Sequence, residues 1–245
     1  MTTGVRVGEQ HWNHCLITGG SRGIGFAIAR RVARRADKVT LVARDRERLQ
    51  QAAARLRDET DTEIATVVAD LSEFEDVRTV AALLDREAVD VLVCAAGVYT
   101  TAPADEANVA DWDRMLEINL RAPMHLARAA AASMSQRGTG AIVLLGSVAG
   151  RNAFPGNSGY CASKFGLRGF AESLFYDVRD AGIHVCHIAP GMTATDMTRD
   201  TPGADPGRMM SPETVAEAVR FAISLPDNAN LMNLDLWPQR DVFSG

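Results

Sequence analysis

Short apolar runs recur along the chain, separated by segments with helical periodicity, and this alternation constrains the fold more than any other feature. The runs are rich in Val, Ile and Leu and are continuous rather than alternating in polarity, as in segments 38–43 and 183–190. Such runs are expected of strands that are buried on both faces of a sheet. Because strands that alternate with helices need right-handed crossovers, the sequence predicts an α/β fold with a doubly wound parallel sheet.

The predicted elements follow one another without a recognisable linker. Strands are expected at 14–18, 38–43, 64–69, 89–96, 141–147, 183–190 and 230–237. Helices are expected at 26–36, 45–59, 73–87, 109–136, 158–181 and 212–224. Since no repeat, low-complexity tract or Pro/Gly/Ser-rich stretch interrupts this series, the sequence predicts a single domain over 1–245, with its core at about 14–238.

A glycine-rich turn, TGGSRGIG at 18–25, follows the first predicted strand and precedes a helix. Glycines in such a turn let the backbone approach a pyrophosphate, which the amide groups and positive end of the helix then bind. The alternative is a tight turn without a ligand, but the strand–turn–helix context favours a Rossmann dinucleotide site. The predicted cofactor contacts in this turn are Gly19, Ser21, Arg22, Gly23, Ile24 and Gly25.

Three polar residues form a candidate catalytic group. Tyr160 and Lys164 are four residues apart on a predicted helix and therefore share a face. A free tyrosine titrates near ~10, and a neighbouring ammonium together with an oxidised, positive nicotinamide favours its phenolate form. Ser147 ends the fifth predicted strand, at the sheet edge where α/β folds bind their ligands. Each residue alone also has a purely structural explanation.

With these motifs the sequence resembles the short-chain dehydrogenase/reductase family, from about residue 14 to residue 238. Its TGxxxGxG pattern matches at every fixed position, and Ser147 precedes Tyr160 by the family's thirteen residues. The resemblance implies the family fold, usually with seven strands, its nicotinamide chemistry, and catalytic roles for Tyr160 and Lys164, which also contact the cofactor. It further implies that Asn119, in the sequence EINL, supports a proton-relay water. Other cofactor contacts implied by the resemblance are Asp70, Leu71, Ala96, Gly97, Pro190, Gly191, Thr193 and Thr195.

The end of the second strand bears on the choice of nicotinamide. The position of the family's NAD-selecting aspartate is Ala43, which cannot bind ribose hydroxyls, and Arg44 follows it. Because a guanidinium binds the 2′-phosphate of NADP, the sequence favours NADP(H). The alternative is that Arg44 only opens the next helix and that Asp45 selects NAD.

One departure from the family pattern and one variable segment affect the site. Cys94 and Ala95 stand where the family usually has two asparagines, which removes polar contacts that would brace the sheet beside the cofactor. The segment 193–211, rich in Thr, Pro, Gly and Met, is predicted to be a substrate lid. Four methionines could line an adaptable pocket or pack at the surface: Met192, Met197, Met209 and Met210.

Composition and charge exclude several other classes of protein. A net charge of -5 argues against a nucleic-acid partner, and no apolar run approaches the ~18 residues of a membrane span. The N-terminal segment 1–14 has no apolar signal core, so a cytoplasmic location is predicted. The four cysteines and the histidines lack metal-ligand spacing, so no metal is predicted.

The sequence therefore predicts an NADP(H)-dependent oxidoreductase that interconverts a ketone or aldehyde and an alcohol, with Tyr160 as acid/base. The partner is a small carbonyl or alcohol substrate, and the resemblance implies a homodimer or homotetramer. The ending NLMNLDLWPQRD resembles a branch of the family that acts on small hydroxy acids and assorted carbonyls. A 3-oxoacyl reductase is the alternative enzyme, and a catalytically silent NADP(H)-binding sensor is the alternative from another class.

Overall fold

A computed structural model describes residues 10–243 of the chain. Its seven strands are β1 Trp12–Thr18, β2 Ala36–Ala43, β3 Glu63–Val68, β4 Val91–Cys94, β5 Gly140–Leu145, β6 Ile183–Pro190 and β7 Asn233–Leu236. Its seven α-helices are α1 Gly23–Ala33, α2 Arg46–Glu59, α3 Phe74–Arg86, α4 Val109–Leu116, α5 Ala122–Arg137, α6 Ser158–Val178 and α7 Pro212–Ile223. The alternation predicted from the sequence is confirmed.

All seven strands are parallel, in the spatial order β3-β2-β1-β4-β5-β6-β7. Helices α1, α2 and α7 cover one face, where Ile28, Leu49 and Val219 are fully buried. Helices α3, α5 and α6 cover the other face, around residues such as Leu84 and Leu126. This is the doubly wound sheet predicted from the apolar runs, and the order of the strands reverses between β1 and β4.

Two predicted helices differ in detail from the structure. The first helix begins at Gly23 and ends at Ala33, because Ala36 already pairs with Trp12 in the sheet. The predicted helix 109–136 is continuous but contains a π-helical turn at Glu117–Arg121. Such turns are rare and concentrate at functional sites. Here the turn carries Asn119.

The ends of the chain complete this description. None of the helices in residues 10–243 is both long and apolar enough to cross a membrane. The interpretation of the N-terminal segment falls largely on residues 1–9, which lie outside the described residues. After β7, the segment 237–243 returns over the carboxyl edge of the sheet, where Val242 is buried.

Candidate active site

A cavity of about 800 Å³ opens at the carboxyl edge of the sheet, where the strand order reverses between β1 and β4. The glycine turn lines one end of the cavity and Tyr160 lines the other. In an open α/β sheet the connections that follow the two strands at this point run to opposite faces of the sheet, which leaves a crevice for a ligand. The fold therefore brings the two predicted motifs into one continuous space.

The glycine turn has the close backbone contacts that its sequence predicts. Gly19 and Gly23 have positive φ angles of 68° and 55°. A β-carbon on Gly19 would lie 2.8 Å from the amide nitrogen of Ala96, and one on Gly25 would lie 2.3 Å from the carbonyl oxygen of Gly19. Larger residues would therefore push the turn away from β4 and from α1. Ser21 and Ile24 also line the cavity.

The first turn of α1 offers amide groups to this cavity. Arg22 is the N-cap residue, and its side chain makes no capping hydrogen bond. The amide groups at the start of a helix lack partners within the helix and bind phosphate readily. This arrangement fits the pyrophosphate of a dinucleotide. The Arg22 guanidinium instead forms a 2.9 Å salt bridge with Asp196.

Thr18 braces the loop after β4, where Cys94 and Ala95 offer no polar side chain. Its buried hydroxyl oxygen accepts hydrogen bonds from the amides of Ala95 and Ala96, both at 3.1 Å. The carboxyl ends of β1 and β4 are thus tied together below the glycine turn. Sequence reasoning missed this role, although the threonine was part of the motif.

Arg44 directly follows β2 and is exposed at the edge of the cavity. Within residues 10–243 its guanidinium has no hydrogen bond or salt bridge. Asp45 is instead the N-cap of α2, where its carboxylate accepts a 3.0 Å hydrogen bond from the amide of Arg48. The carboxylate also lies 3.3 Å from the Arg48 guanidinium. Of these two neighbours, Arg44 therefore has the side chain that is available for a ligand.

Asp70 and Leu71, two of the predicted cofactor contacts, line the same cavity. Leu71 is buried, and Asp70 accepts hydrogen bonds from the amide and the hydroxyl of Ser72. Burial raises the pKa of Asp70, but these hydrogen bonds and the charge of Arg114 outweigh burial and lower it. The Asp70 carboxylate is therefore held in place as an anion.

Tyr160 and Ser147 meet at the opposite end. Ser147 follows β5, and its hydroxyl oxygen accepts a 3.1 Å hydrogen bond from the amide of Ala149. Burial raises the pKa of Tyr160 to about 12, and a hydrogen bond with Ser147 opposes that shift. The ring packs edge-on against Tyr99, with centroids 4.9 Å apart. Among the protein's own groups burial outweighs the expected stabilisation of the phenolate, so Tyr160 is a phenol at neutral pH.

Lys164 lies one helical turn after Tyr160 and is 4% exposed. Its Nζ donates a 2.9 Å hydrogen bond to the carbonyl oxygen of Leu145 and lies 5.8 Å from the centroid of the Tyr160 ring. Burial lowers the pKa of Lys164 to about 8. The structure therefore places this amine beside the phenol, as the helical spacing predicts.

Asn119 is fully buried, and its amide holds the loop after β4. Its Oδ1 accepts a hydrogen bond from the amide of Val98, and its Nδ2 donates to the Val98 carbonyl, both at 2.9 Å. Gly97 fits between Asn119 and Lys164, since a β-carbon there would lie 3.4 Å from Oδ1 and 4.0 Å from Nζ. All four predicted catalytic residues therefore converge near the loop that contains Gly97.

The segment after β6 forms a wall of the cavity. Pro190, Gly191, Thr193 and Thr195 all line it, and Thr195 lies 3.4 Å from a β-carbon built on Gly23. The base of the predicted lid is closed by backbone hydrogen bonds, in which Met210 donates to Met192 and accepts from Ala194. Met192 and Met197 line the cavity, whereas Met209 and Met210 do not.

The segment 237–243 also forms a wall of the cavity, and sequence reasoning missed it. Trp237, Gln239 and Phe243 line the cavity near its catalytic end. The Val242 carbonyl accepts a 2.8 Å hydrogen bond from the amide of Asp205, so this segment touches the predicted lid. The sequence signal was a pair of aromatic residues after β7, Trp237 and Phe243, which no strand or helix pattern explains.

A Rossmann sheet with a glycine turn and a Ser-Tyr-Lys group at one cavity defines a nicotinamide-dependent oxidoreductase class. The family model described as short chain dehydrogenase matches residues 13–205. The chain belongs to the short-chain dehydrogenase/reductase family.

Relatives and solved structures agree with this assignment. Sulfoacetaldehyde reductase 2 of Chromohalobacter salexigens is 32% identical over 242 residues, covering 94% of this chain and 95% of that protein. The 3-oxoacyl-acyl-carrier-protein reductase FabG of Rickettsia conorii is 35% identical over 218 residues, covering 85% and 88%. A short-chain dehydrogenase from Sphingobium yanoikuyae, solved with NADPH, superposes with a TM-score of 0.82 at 32% identity, covering 93% of this chain and 88% of that one.

Proposed function

We propose that this chain is an NADP(H)-dependent reductase of ketones or aldehydes, with residues 1–245 as one catalytic domain. The observation that carries the proposal is the meeting of Ser147, Tyr160 and Lys164 in the cavity that the glycine turn also lines. Reduction of a carbonyl needs both a hydride donor and a proton donor at one place.

The protein's own groups supply the proton and orient the substrate. NADPH, when bound along the glycine turn, supplies the hydride. The high pKa of Tyr160 keeps its hydroxyl protonated and ready to donate to the substrate oxygen. Ser147 lies within hydrogen-bonding reach of Tyr160 and orients the same oxygen. The Lys164 ammonium stabilises the phenolate that is left after the transfer.

The preference for NADP(H) over NAD(H) rests on Arg44 and Asp45. Arg44 has a free guanidinium at the cavity edge, whereas the Asp45 carboxylate is committed to capping α2. A guanidinium can hold a phosphate through paired charged hydrogen bonds. The NADPH bound to the Sphingobium yanoikuyae structure supports the same choice.

The substrate end of the cavity favours a small carbonyl compound. Its walls are largely apolar and aromatic, formed by Tyr99, Phe154, Met197 and Trp237. The similarity to sulfoacetaldehyde reductase 2 supports a short aldehyde or ketone as substrate. The similarity to FabG keeps a 3-oxoacyl thioester as the second candidate.

The remaining parts of the proposal concern assembly and location. Leu116 and Met124, about two helical turns apart in the α4–α5 region, are each 39% exposed, and Phe165 on α6 is 45% exposed. Because soluble proteins cover contiguous apolar surface, this face supports a homodimer or homotetramer. We place the enzyme in the cytoplasm, where NADPH is available as reductant.

The direct test is the loss of NADPH absorbance with a panel of aldehydes, ketones and a 3-oxoacyl thioester. The wild-type chain is compared with Tyr160→Phe, which keeps the ring and loses the proton. Turnover is expected to fall by at least ~10²-fold, while NADPH binding holds. Tyr99→Phe is the matched control, because its ring touches Tyr160 without taking part in proton transfer. Binding of NADPH without turnover of any compound in the panel would support a sensor instead.

A further inference from the structure

His187 is a buried polar residue that the proposed chemistry does not use. It lies in β6, is 1% exposed, and pairs in register with Leu144 of β5 and Asn233 of β7. Its Nδ1 lies 3.1 Å from Oδ1 of Asn233. The Asn233 amide is oriented by its Nδ2, which donates a 2.9 Å hydrogen bond to the carboxylate of Glu172. Since Oδ1 can only accept, Nδ1 of His187 carries the proton and Nε2 keeps a lone pair.

The Nε2 atom faces the backbone that carries the catalytic residues. Within residues 10–243 it is buried and has no hydrogen-bond partner. A β-carbon on Gly146 would lie 2.0 Å from Nε2 and 2.6 Å from Cε1, so the imidazole occupies the space of a side chain at 146. Gly146 is preceded by Leu145, whose carbonyl binds Lys164, and followed by Ser147. The ring therefore supports the backbone between these two contacts.

Charged groups reach His187 from α6 and from β7. On α6 these are Lys164, Arg168 and Glu172, and on β7 the charged group is Asp235. Arg168 pairs with Glu172 at 2.9 Å, whereas the β5 residue paired with His187 is the uncharged Leu144. Burial, followed by the charge of Lys164, lowers the pKa of His187 to about 4. The imidazole is therefore neutral beside the ammonium.

A buried acceptor without a partner is normally costly, so the packing of this imidazole beneath Gly146 needs an explanation. We infer that His187 is a positioning residue for Lys164: its neutral imidazole packs under Gly146 and so holds the neighbouring Leu145 carbonyl in place to bind the ammonium. The inference rests on the proposed function, because Lys164 has a catalytic role only in that reaction. The Asn233–Glu172 contacts hold the imidazole in the required tautomer.

The coupling itself can be measured without turnover, by nuclear magnetic resonance of the chain with labelled histidine. His187 is expected to be the neutral Nδ1–H tautomer throughout the neutral range. Lys164→Met removes the nearby positive charge, so the His187 titration midpoint is expected to rise by about one pH unit. Arg128→Met, an exposed cation on α5, is the control and leaves the midpoint unchanged. An Nε2–H tautomer, or an unchanged midpoint in Lys164→Met, would overturn the inference.

The effect on the reaction is measured by the pH dependence of kcat/KM for alcohol oxidation, which needs the Tyr160 phenolate. His187→Gln keeps an acceptor near the Nε2 position, and His187→Phe keeps only a ring. The midpoint is expected to rise by about one pH unit in His187→Phe, because a less stable ammonium stabilises the phenolate less. KM is expected to change little, and His187→Gln is expected to restore most of the wild-type profile. His184→Gln, at a half-buried histidine of the same strand, is the control.

The two measurements separate the inference from the proposed function. Coupling between His187 and Lys164 without any carbonyl reduction in the wild type would contradict the proposed function alone. Reduction that depends on Tyr160, together with identical profiles in wild type, His187→Gln and His187→Phe, would overturn the inference alone. If His187→Phe does not fold, the inference is still tested by the tautomer of His187 and by its titration midpoint in Lys164→Met.

Discussion

The guanidinium of Arg22 forms a 2.9 Å salt bridge with the carboxylate of Asp196, joining the glycine turn to the predicted lid across 174 residues of sequence. Asp196 also pairs with Arg199 at 2.9 Å, within the lid. A ligand bound at the glycine turn is therefore expected to lie next to a contact that holds the predicted lid in place. Because both side chains of the Arg22–Asp196 pair are about half exposed, the contact is expected to be weak and adjustable.

The first prediction concerns the lid, residues 193–211. Asp196→Asn removes the anion that Arg22 binds, so amide exchange in the lid is expected to rise by up to about fivefold, as for an exposed ion pair. Adding NADPH together with a reduced ketone is expected to protect the lid in the wild type. Hydrogen–deuterium exchange measures both effects, with Asp200→Asn, exposed in the same segment, as the control. Equal protection in every state would show that this segment is fixed packing.

The second prediction concerns cofactor choice. Arg44→Ala removes the free guanidinium at the cavity edge, so the Kd for NADPH is expected to rise by about 10- to 150-fold, as for loss of a charged hydrogen bond. The Kd for NADH is expected to hold or fall. Titration calorimetry with both cofactors measures the effect, and Arg46→Ala, at the exposed first residue of α2, is the control. A wild-type chain that already prefers NADH would contradict the prediction.

The third prediction concerns the brace beneath the glycine turn. Thr18→Val removes the acceptor of two buried amide hydrogen bonds, from Ala95 and Ala96. Leaving such groups unpaired costs about 1–3 kcal/mol, so the free energy of unfolding is expected to fall by that amount. Thr18→Ser keeps the acceptor and is expected to stay close to the wild type. Urea denaturation monitored by circular dichroism compares the three, and equal stability of Thr18→Val and wild type would exclude the brace.

The sequence was sufficient for the sheet, the glycine turn and the Tyr160–Lys164 pair because each depends on local periodicity or on a fixed spacing. The contacts that complete the site depend on segments far apart in the chain. Thr18 accepts a hydrogen bond from Ala95, and the predicted lid is hydrogen-bonded to the segment 237–243. No local sequence pattern predicts either contact. The methionines show the same limit. Composition alone did not predict that Met197 lines the cavity while Met209 lies outside it.

The Tyr160 pKa also depended on the structure. The sequence predicted a lowered pKa from Lys164 acting together with an oxidised nicotinamide. The protein's own groups raise the Tyr160 pKa, because burial has a larger effect than the hydrogen bond from Ser147. A sequence places a lysine next to a tyrosine on a helix, but it does not give the solvent accessibility of either group. The same holds for His187, because the sequence left open whether it lies in the core or at the surface and did not indicate its neighbours.

The last prediction concerns acid stability and His187. Its pKa is about 4 in the folded chain against 6.5 in the unfolded chain, so below pH 6.5 the unfolded state binds more protons. The free energy of unfolding therefore falls as pH drops from 6.5 toward 4, and for this one group the loss is about 2 kcal/mol between about pH 7 and about pH 5.

His187→Gln removes that titration, so its unfolding free energy is expected to depend less on pH in this window than that of the wild type. Part of the slope is expected to remain, because burial also lowers the pKa of His14 and His184. His125→Gln, at an exposed histidine of α5, is expected to keep the full wild-type slope. Urea denaturation at a series of pH values between these limits measures the three curves. If His187→Gln and wild type lose stability in parallel on acidification, His187 binds protons equally in the folded and unfolded chains, and the lowered pKa of its imidazole in the folded chain is wrong.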